Sequence, residues 1–246
     1  FTTKFLPELG HLPGFAGQFL EPSGATGRPP TVHTLRRYPA LARTLETLAQ
    51  RGLDDFYRGS VAEAIAAEHT RLGGPLRLAD LQAHRASTVQ PLSVRVAGAT
   101  LFNMTPPTQG LASLMILAIF DRLRQRHRIT EADGLPYLHA IVEATKQAFK
   151  VRNRHVADPQ TMTARGVAPE QFLTDAFIDQ CVNAVDMQRA LAWPEPPIHG
   201  DTVWMGAADA DGRMVSFIQS VYWEFGSGVV LADTGIAWQN RGSSFQ

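Results

Sequence analysis

The residues best placed to do chemistry are His199-Gly200-Asp201-Thr202. A threonine released from the residue before it carries a free α-amine beside its own hydroxyl. One residue then supplies both nucleophile and general base. That amine titrates nearer neutrality than a lysine amine, as a base at physiological pH should. The branched Cβ restricts χ1 and holds the oxygen in place. A cut between Asp201 and Thr202 would create this group, and Asp201 and His199 are the neighbours that could influence the cut. The plainer alternative is a threonine that merely opens a strand, as many do.

Other reactive residue types are weaker candidates. His11, His33, His69, His84, His127, His139, His155 and His199 are scattered. None forms an H-x-x-x-H or H-E-x-x-H spacing, so no metal is expected. The lone Cys181 excludes an internal disulfide framework, and on the apolar face of a helix it reads as a buried structural thiol. Gly226-Ser227-Gly228 could cradle an anion through its amides, or form a tight turn that lets backbone pass close to Thr202. Tyr222, Trp223 and Trp238 could line a pocket or serve as core aromatics. Acyl transfer by an N-terminal threonine needs no metal or organic cofactor, so none is expected.

The elements that must position these residues follow from periodicity. Residues 1–39 are rich in Gly and Pro and read as loops with short turns. Pro39 opens a helix with Leu41, Leu45 and Leu48 on one face, closed by Gly52. Ser60 and Glu63 form a capping box for a helix that runs to about Leu72 and stops at Gly73-Gly74. A short helix follows near Ala79-Asp80-Leu81. Val94 and Val96, then Leu101 and Phe102, suggest two strands. Thr105-Pro106-Pro107-Thr108-Gln109-Gly110 is a rigid turn into an apolar helix. A longer helix carries Leu138, Ile141, Val142, Thr145 and Phe149 on one stripe and ends before Asp158-Pro159. Another uses Phe177, Ile178, Cys181, Val182 and Val185. Residues 193–201 are proline-rich and read as an extended linker. After them the pattern turns to β: Thr202 to Ala208 and Met214 to Val221 flank the Asp209-Ala210-Asp211-Gly212 turn, and Val229 to Leu231 suggest a short strand.

Bulk properties narrow the class. Lys plus Arg and Asp plus Glu both count 23, giving zero formal charge and no basic stripe for nucleic acid. The longest apolar stretch, Leu111 to Phe120, is too short to span a bilayer. The chain lacks an initiator Met and begins and ends abruptly, which suggests a piece of a longer precursor. The compartment, cytoplasmic or periplasmic, stays open, as does homo-oligomerisation.

The run Thr202-Val203-Trp204-Met205-Gly206-Ala207-Ala208-Asp209-Ala210-Asp211-Gly212 resembles the start of the small subunit of γ-glutamyltranspeptidases. There a nucleophilic threonine opens a strand that leads into a D-x-D-G-type turn. Val215 to Ser220, Phe225 to Gly228, Thr234-Gly235-Ile236 and Gln239-Asn240 continue the family pattern in order. Upstream, Gly73-Gly74 to Asp80-Leu81, the Pro106 to Gly110 turn, and Glu143 to Arg152 with Asp158-Pro159 resemble large-subunit landmarks. The resemblance implies an α+β fold, the four-layer αββα sandwich of the N-terminal-nucleophile (Ntn) hydrolases. It implies autocatalytic cleavage at Asp201-Thr202, with residues 1–201 in the large subunit and 202–246 opening the small one. It also implies two features outside this chain, a substrate-binding arginine on the N-terminal side and a Gly-Gly oxyanion pair beyond residue 246. The partners implied are a small-molecule amide and the two subunits of one precursor.

The same resemblance assigns substrate roles and exposes departures. Ser220 stands where a family threonine hydrogen-bonds the nucleophile. Tyr222 stands where an asparagine often contacts the glutamyl group. The loop Asn240-Arg241-Gly242-Ser243-Ser244-Phe245 has Ser244 in place of the acid that grips the substrate's α-ammonium, and Arg241 joins it. A guanidinium offers a forked match to a carboxylate. The expected substrate therefore has a carboxylate and no α-ammonium, as in the branch containing oxamate amidohydrolases and cephalosporin acylases. The alternatives are a solvated Arg241, a true γ-glutamyltransferase or glutathione hydrolase, and an unprocessed non-catalytic family member.

Overall fold

A computed structural model describes residues 2–23, 27–193 and 203–244. Asp201 and Thr202 lie outside the described residues, as does most of the expected 193–201 linker. The fold is mixed α and β, and the chain divides into two compact units, one of residues 1–86 with 197–246 and one of residues 87–196. Among the described residues no helix is long and apolar enough to cross a membrane.

The first unit opens with α1 (Thr2–Leu9) and α2 (Phe15–Phe19), where loops are expected from composition. Long-range aromatic packing explains the difference: Phe5, Phe15 and Phe19 each place a ring edge-to-face against Phe225, with centroids 6.1, 5.4 and 4.8 Å apart. Next come α3 (Pro39–Arg51), α4 (Asp55–Arg58), α5 (Ser60–Arg71) and α6 (Leu78–Ala83). In α3 the expected leucine face is rotated. Leu45 is exposed, whereas Thr44 is buried and its hydroxyl donates to the Thr234 carbonyl at 2.8 Å. The expected Ser60 cap is also replaced. Asp55 accepts from the Val61 amide at 2.9 Å and the Ser60 hydroxyl at 3.0 Å. Those bonds, the Val61 amide first, hold its carboxyl below the usual value. The Gly73-Gly74 stop is as expected: Gly73 has φ +73°, and the Gly74 amide reaches back to the His69 carbonyl at 2.7 Å.

The second unit contains the hairpin of β1 (Leu92–Val96) and β2 (Ala99–Asn103), then α7 (Gly110–Arg126) and α8 (Leu135–His155). It continues with α9 (Pro159–Ala164), a 3-10 turn at Pro169–Leu173 and α10 (Asp175–Asn183). Here α8 buries Ala140, Ala144, Ala148 and Val151 rather than the expected stripe, and Leu138 and Val142 are exposed. The alanine ridge accommodates the bulk of α7, whose Leu111, Leu114, Met115 and Ile119 are fully buried. The Glu143 carboxylate and Lys146 ammonium pair at 2.6 Å and grip Leu191, the carboxylate accepting its amide and the ammonium donating to its carbonyl. That clamp fixes the chain at Leu191. Ile178, Cys181 and Val182 of α10 are buried as expected.

Returning to the first unit, β3 (Val203–Ala208) and β4 (Met214–Gln219) form an antiparallel hairpin in the register Val203 to Gln219 and Ala208 to Met214. Its turn has Gly212 at φ +79°, and the Asp209 carboxylate accepts the amides of Asp211 and Arg213. The expected strand at Val229 to Leu231 is a single bridge between Val230 and Ala237.

The β1–β2 turn generates a stability prediction. Ala97 and Gly98 both have positive φ, at +49° and +82°. Asparagine tolerates that region better than alanine, which pays roughly 1 kcal/mol there. Ala97 is exposed, so Ala97→Asn should stabilise the full-length protein by about 0.5–1 kcal/mol in chemical unfolding. A lower unfolding midpoint would contradict this account of the turn.

Candidate active site

The frame of the site is a buried carboxylate. On α5, Val61, Ala62, Ile65 and Ala66 form the apolar stripe of a small core, and Glu68 and His69 continue that stripe to the end of the helix. Glu68 is 3% exposed, and its two oxygens accept the amides of Ala232 and Asp233 at 2.8 and 3.2 Å. Arg71 pairs with it from the same helix at 3.0 Å. The Thr44 hydroxyl adds its bond to the next carbonyl along, that of Thr234. The 232–234 turn is thus held from two helices, and Leu231 beneath it is fully buried.

From this anchor the chain folds back on itself. The Leu231 amide bonds to Ile236, and the Trp238 amide to Val229, both at 2.9 Å. The amide and hydroxyl of Ser227 both donate to the Trp238 carbonyl at 2.8 Å. Gly226 has φ +59°, and a Cβ there would collide with that carbonyl. The Gly226-Ser227-Gly228 turn therefore makes room for the passage of residues 238–239, and its Ser227 amide is spent on backbone.

The returning segment brings four of the expected site residues together. The Asn240 amide donates to the Val221 carbonyl at 3.2 Å, and its side-chain oxygen accepts the Trp223 amide at 3.1 Å. The Arg241 guanidinium donates to the Ser220 carbonyl at 3.1 Å and lies 5.5 Å from the Tyr222 ring centroid, within cation–π range. The Ser220 hydroxyl oxygen accepts the Tyr222 amide at 2.9 Å. That bond fits Tyr222's φ of +85°, which is unusual for a residue with a ring. Arg241 is exposed, yet its head is tied to the end of β4 rather than simply solvated. Ser220, Tyr222, Asn240 and Arg241 are thus one cluster at the foot of the hairpin.

Ser243 and Ser244 follow in a 3-10 turn, Arg241–Ser244, and Ser243 borders a cavity of about 540 Å³ behind the loop. Trp238 lines that cavity, while Tyr222 stacks on Trp223, so the three aromatics do not share one wall. Among the described residues no group of three His, Cys, Asp or Glu side chains could hold a metal ion. Sequence reasoning missed Glu68, Thr44 and His69. The continuation of the Val61–Ile65 stripe to Glu68 and His69 was the available signal, since a polar residue on a buried face needs a partner.

A hydroxyl, an amide side chain and a guanidinium are thus gathered where a strand hairpin meets an anchored loop. The family model described as Gamma-glutamyltranspeptidase matches residues 3–246, and the chain belongs to the γ-glutamyltranspeptidase family. The oxamate amidohydrolase proenzyme of Klebsiella pneumoniae is 48% identical over 244 residues, 99% of this chain and 44% of that protein. The glutathione hydrolase-like YwrD proenzyme of Bacillus subtilis is 33% identical over 205 residues, 83% of this chain and 38% of that protein. The crystal structure of cephalosporin acylase from Bacillus halodurans superimposes with a TM-score of 0.84 at 33% identity, covering 100% of this chain and 43% of that one. The chain spans less than half the length of the curated relatives it matches.

The anchor generates a prediction. Glu68→Ala strips two buried amides of their acceptor and should cost about 3 kcal/mol or more in chemical unfolding of the full-length protein. Glu68→Gln keeps an acceptor oxygen and should cost less. Equal, small losses for both would contradict the anchoring role.

Proposed function

We propose that the chain is part of a self-processing amidohydrolase with the four-layer αββα sandwich of the Ntn hydrolases. Cleavage at Asp201-Thr202 divides it into large-subunit residues 1–201 and a small subunit opening at Thr202, the nucleophile. The observation that carries the reading is the cluster at the end of a registered hairpin. Val203 pairs with Gln219, so Thr202 and Ser220 are each covalently joined to a member of that pair. A hydroxyl that accepts the Tyr222 amide retains its own proton, and in this reading Ser220 donates it to the Thr202 oxygen. The hairpin's apolar residues on both faces, among them Trp204, Met205, Val215 and Phe217, suit strands covered on two sides and so support the sandwich.

The chemistry follows from the N-terminal threonine. Its oxygen attacks the amide carbonyl carbon while its proton passes to the α-amine. The C–N bond breaks and the amine leaves with that proton. Water then attacks the resulting ester, releasing the acid and restoring Thr202. Arg241 receives a substrate carboxylate through its planar fork, with Tyr222, Asn240, Ser243 and Ser244 completing the binding loop. Replacement of the family acid by Ser244 removes a partner for an α-ammonium. The substrate is therefore a small amide with a carboxylate and no α-ammonium, of oxamate or acylase type. The names of the 48%-identical relative and of the 33%-identical solved structure support that class.

The test is steady-state kinetics on the full-length protein. Oxamate should be hydrolysed far faster than γ-glutamyl-p-nitroanilide. Arg241→Met should raise KM for oxamate by roughly 10-fold or more, the worth of one charge-assisted contact. Ser220→Ala should lower kcat about 10- to 100-fold, with Ser220→Thr retaining activity. Turnover of the γ-glutamyl substrate equal to that of oxamate would overturn the substrate assignment.

A further inference from the structure

The cavity behind the binding loop is not used by this chemistry. At about 540 Å³ it falls in the size range of sites for ring-bearing ligands and is far larger than an oxamate ion needs. Leu72 and Leu76 line it from the end of α5 and the loop after it, and Val229, Leu231 and Trp238 from the anchored segment; the carboxylate in the wall, Asp80, accepts the Arg77 amide at 2.8 Å. Asn240, Gly242 and Ser243 line it from the binding loop, whereas Arg241, between them, reaches Ser220 and Tyr222 instead. One loop is thus a wall common to the cavity and the Ser220–Arg241 cluster.

A buried polar group in this wall lacks a partner. His69 is 8% exposed and lines the cavity, and its Nε2 has no hydrogen-bond partner among the described residues. Its ring packs edge-on against Trp238, with centroids 4.4 Å apart, a contact that supplies dispersion but no lone pair. Leaving such a nitrogen unsatisfied costs free energy, and native proteins rarely do so without a use for it. Burial first, then the charge of Arg77, keeps His69 below its ordinary pKa and so favours the neutral ring.

We propose that this cavity is a substrate subsite for an uncharged, ring-sized apolar group carried by the amide beyond its carboxylate end, with His69 Nε2 hydrogen-bonding a polar atom on that group. The inference rests on the amidohydrolase reading and deepens it. It assigns to the enzyme a preference for amides larger than oxamate itself.

The experiment compares oxamate, N-phenyloxamate and N-(4-hydroxyphenyl)oxamate as substrates of the full-length protein. Hydrolysis of the ring amides consumes one water and yields oxalate and the corresponding aniline. The ring amides should show a KM about tenfold or more below that of oxamate, as burial of an aromatic ring implies. Leu76→Trp, which fills the cavity, should erase that ratio. Leu72→Phe, on a different part of the wall, should reduce it and serves if Leu76→Trp fails to fold. His69→Phe should abolish any preference for the hydroxylated ring over the plain one. Oxamate hydrolysis with no ring preference, or a preference surviving both filling variants, would overturn the subsite while leaving the amidohydrolase reading intact. A correctly folded protein that hydrolyses none of the three overturns both.

Discussion

The site depends on one buried carboxylate. Glu68, at the end of α5, accepts the amides of Ala232 and Asp233, residues far along the chain. A carboxylate in an apolar core is costly unless each oxygen finds a donor, and two consecutive backbone amides meet that need while losing their own solvent. Because the bond joins a helix to a turn, it fixes where the chain reverses. The positions of Trp238, Asn240 and Arg241 follow from that reversal. The Thr44 hydroxyl on the Thr234 carbonyl makes the same turn rigid from a second helix.

Beyond the anchor, the geometry gives neighbouring residues of one short loop two different surroundings. Arg241 faces the foot of the hairpin, where Ser220 and Tyr222 sit, and its neighbours Asn240, Gly242 and Ser243 face a largely apolar cavity bordered by His69. In the proposed reading, such alternation would present a charged substrate end and an apolar one to adjacent residues of the same loop. The backbone of Tyr222 at positive φ belongs to the same arrangement, held by the Ser220 hydroxyl and by the ring beneath the guanidinium.

Local chemistry was legible in the sequence, and long-range packing was not. The Asp209 to Gly212 turn, the Gly73-Gly74 helix stop and the two strands β1 and β2 are specified by residues within a few positions of one another. Helices α1 and α2 were illegible because their stability comes from Phe225, near the other end of the chain. The face of α8 was misjudged because small alanines, not its large apolar residues, meet α7. Ser60 reads as a cap, but Asp55 occupies the geometry first. Within the candidate site, the loop from Asn240 to Ser244 and Ser220 could be named as candidates from family resemblance alone. The roles of Glu68 and His69 could not, since each depends on residues brought close only by folding.

The central claim is that Thr202 becomes a chain terminus. Intact mass spectrometry of the full-length protein, beside a Thr202→Ala control, tests it most directly. The account predicts two polypeptides for the natural sequence, the smaller beginning at Thr202, and one uncut chain for the control. A single uncut chain in both samples would contradict it and reduce Thr202 to the first residue of a strand.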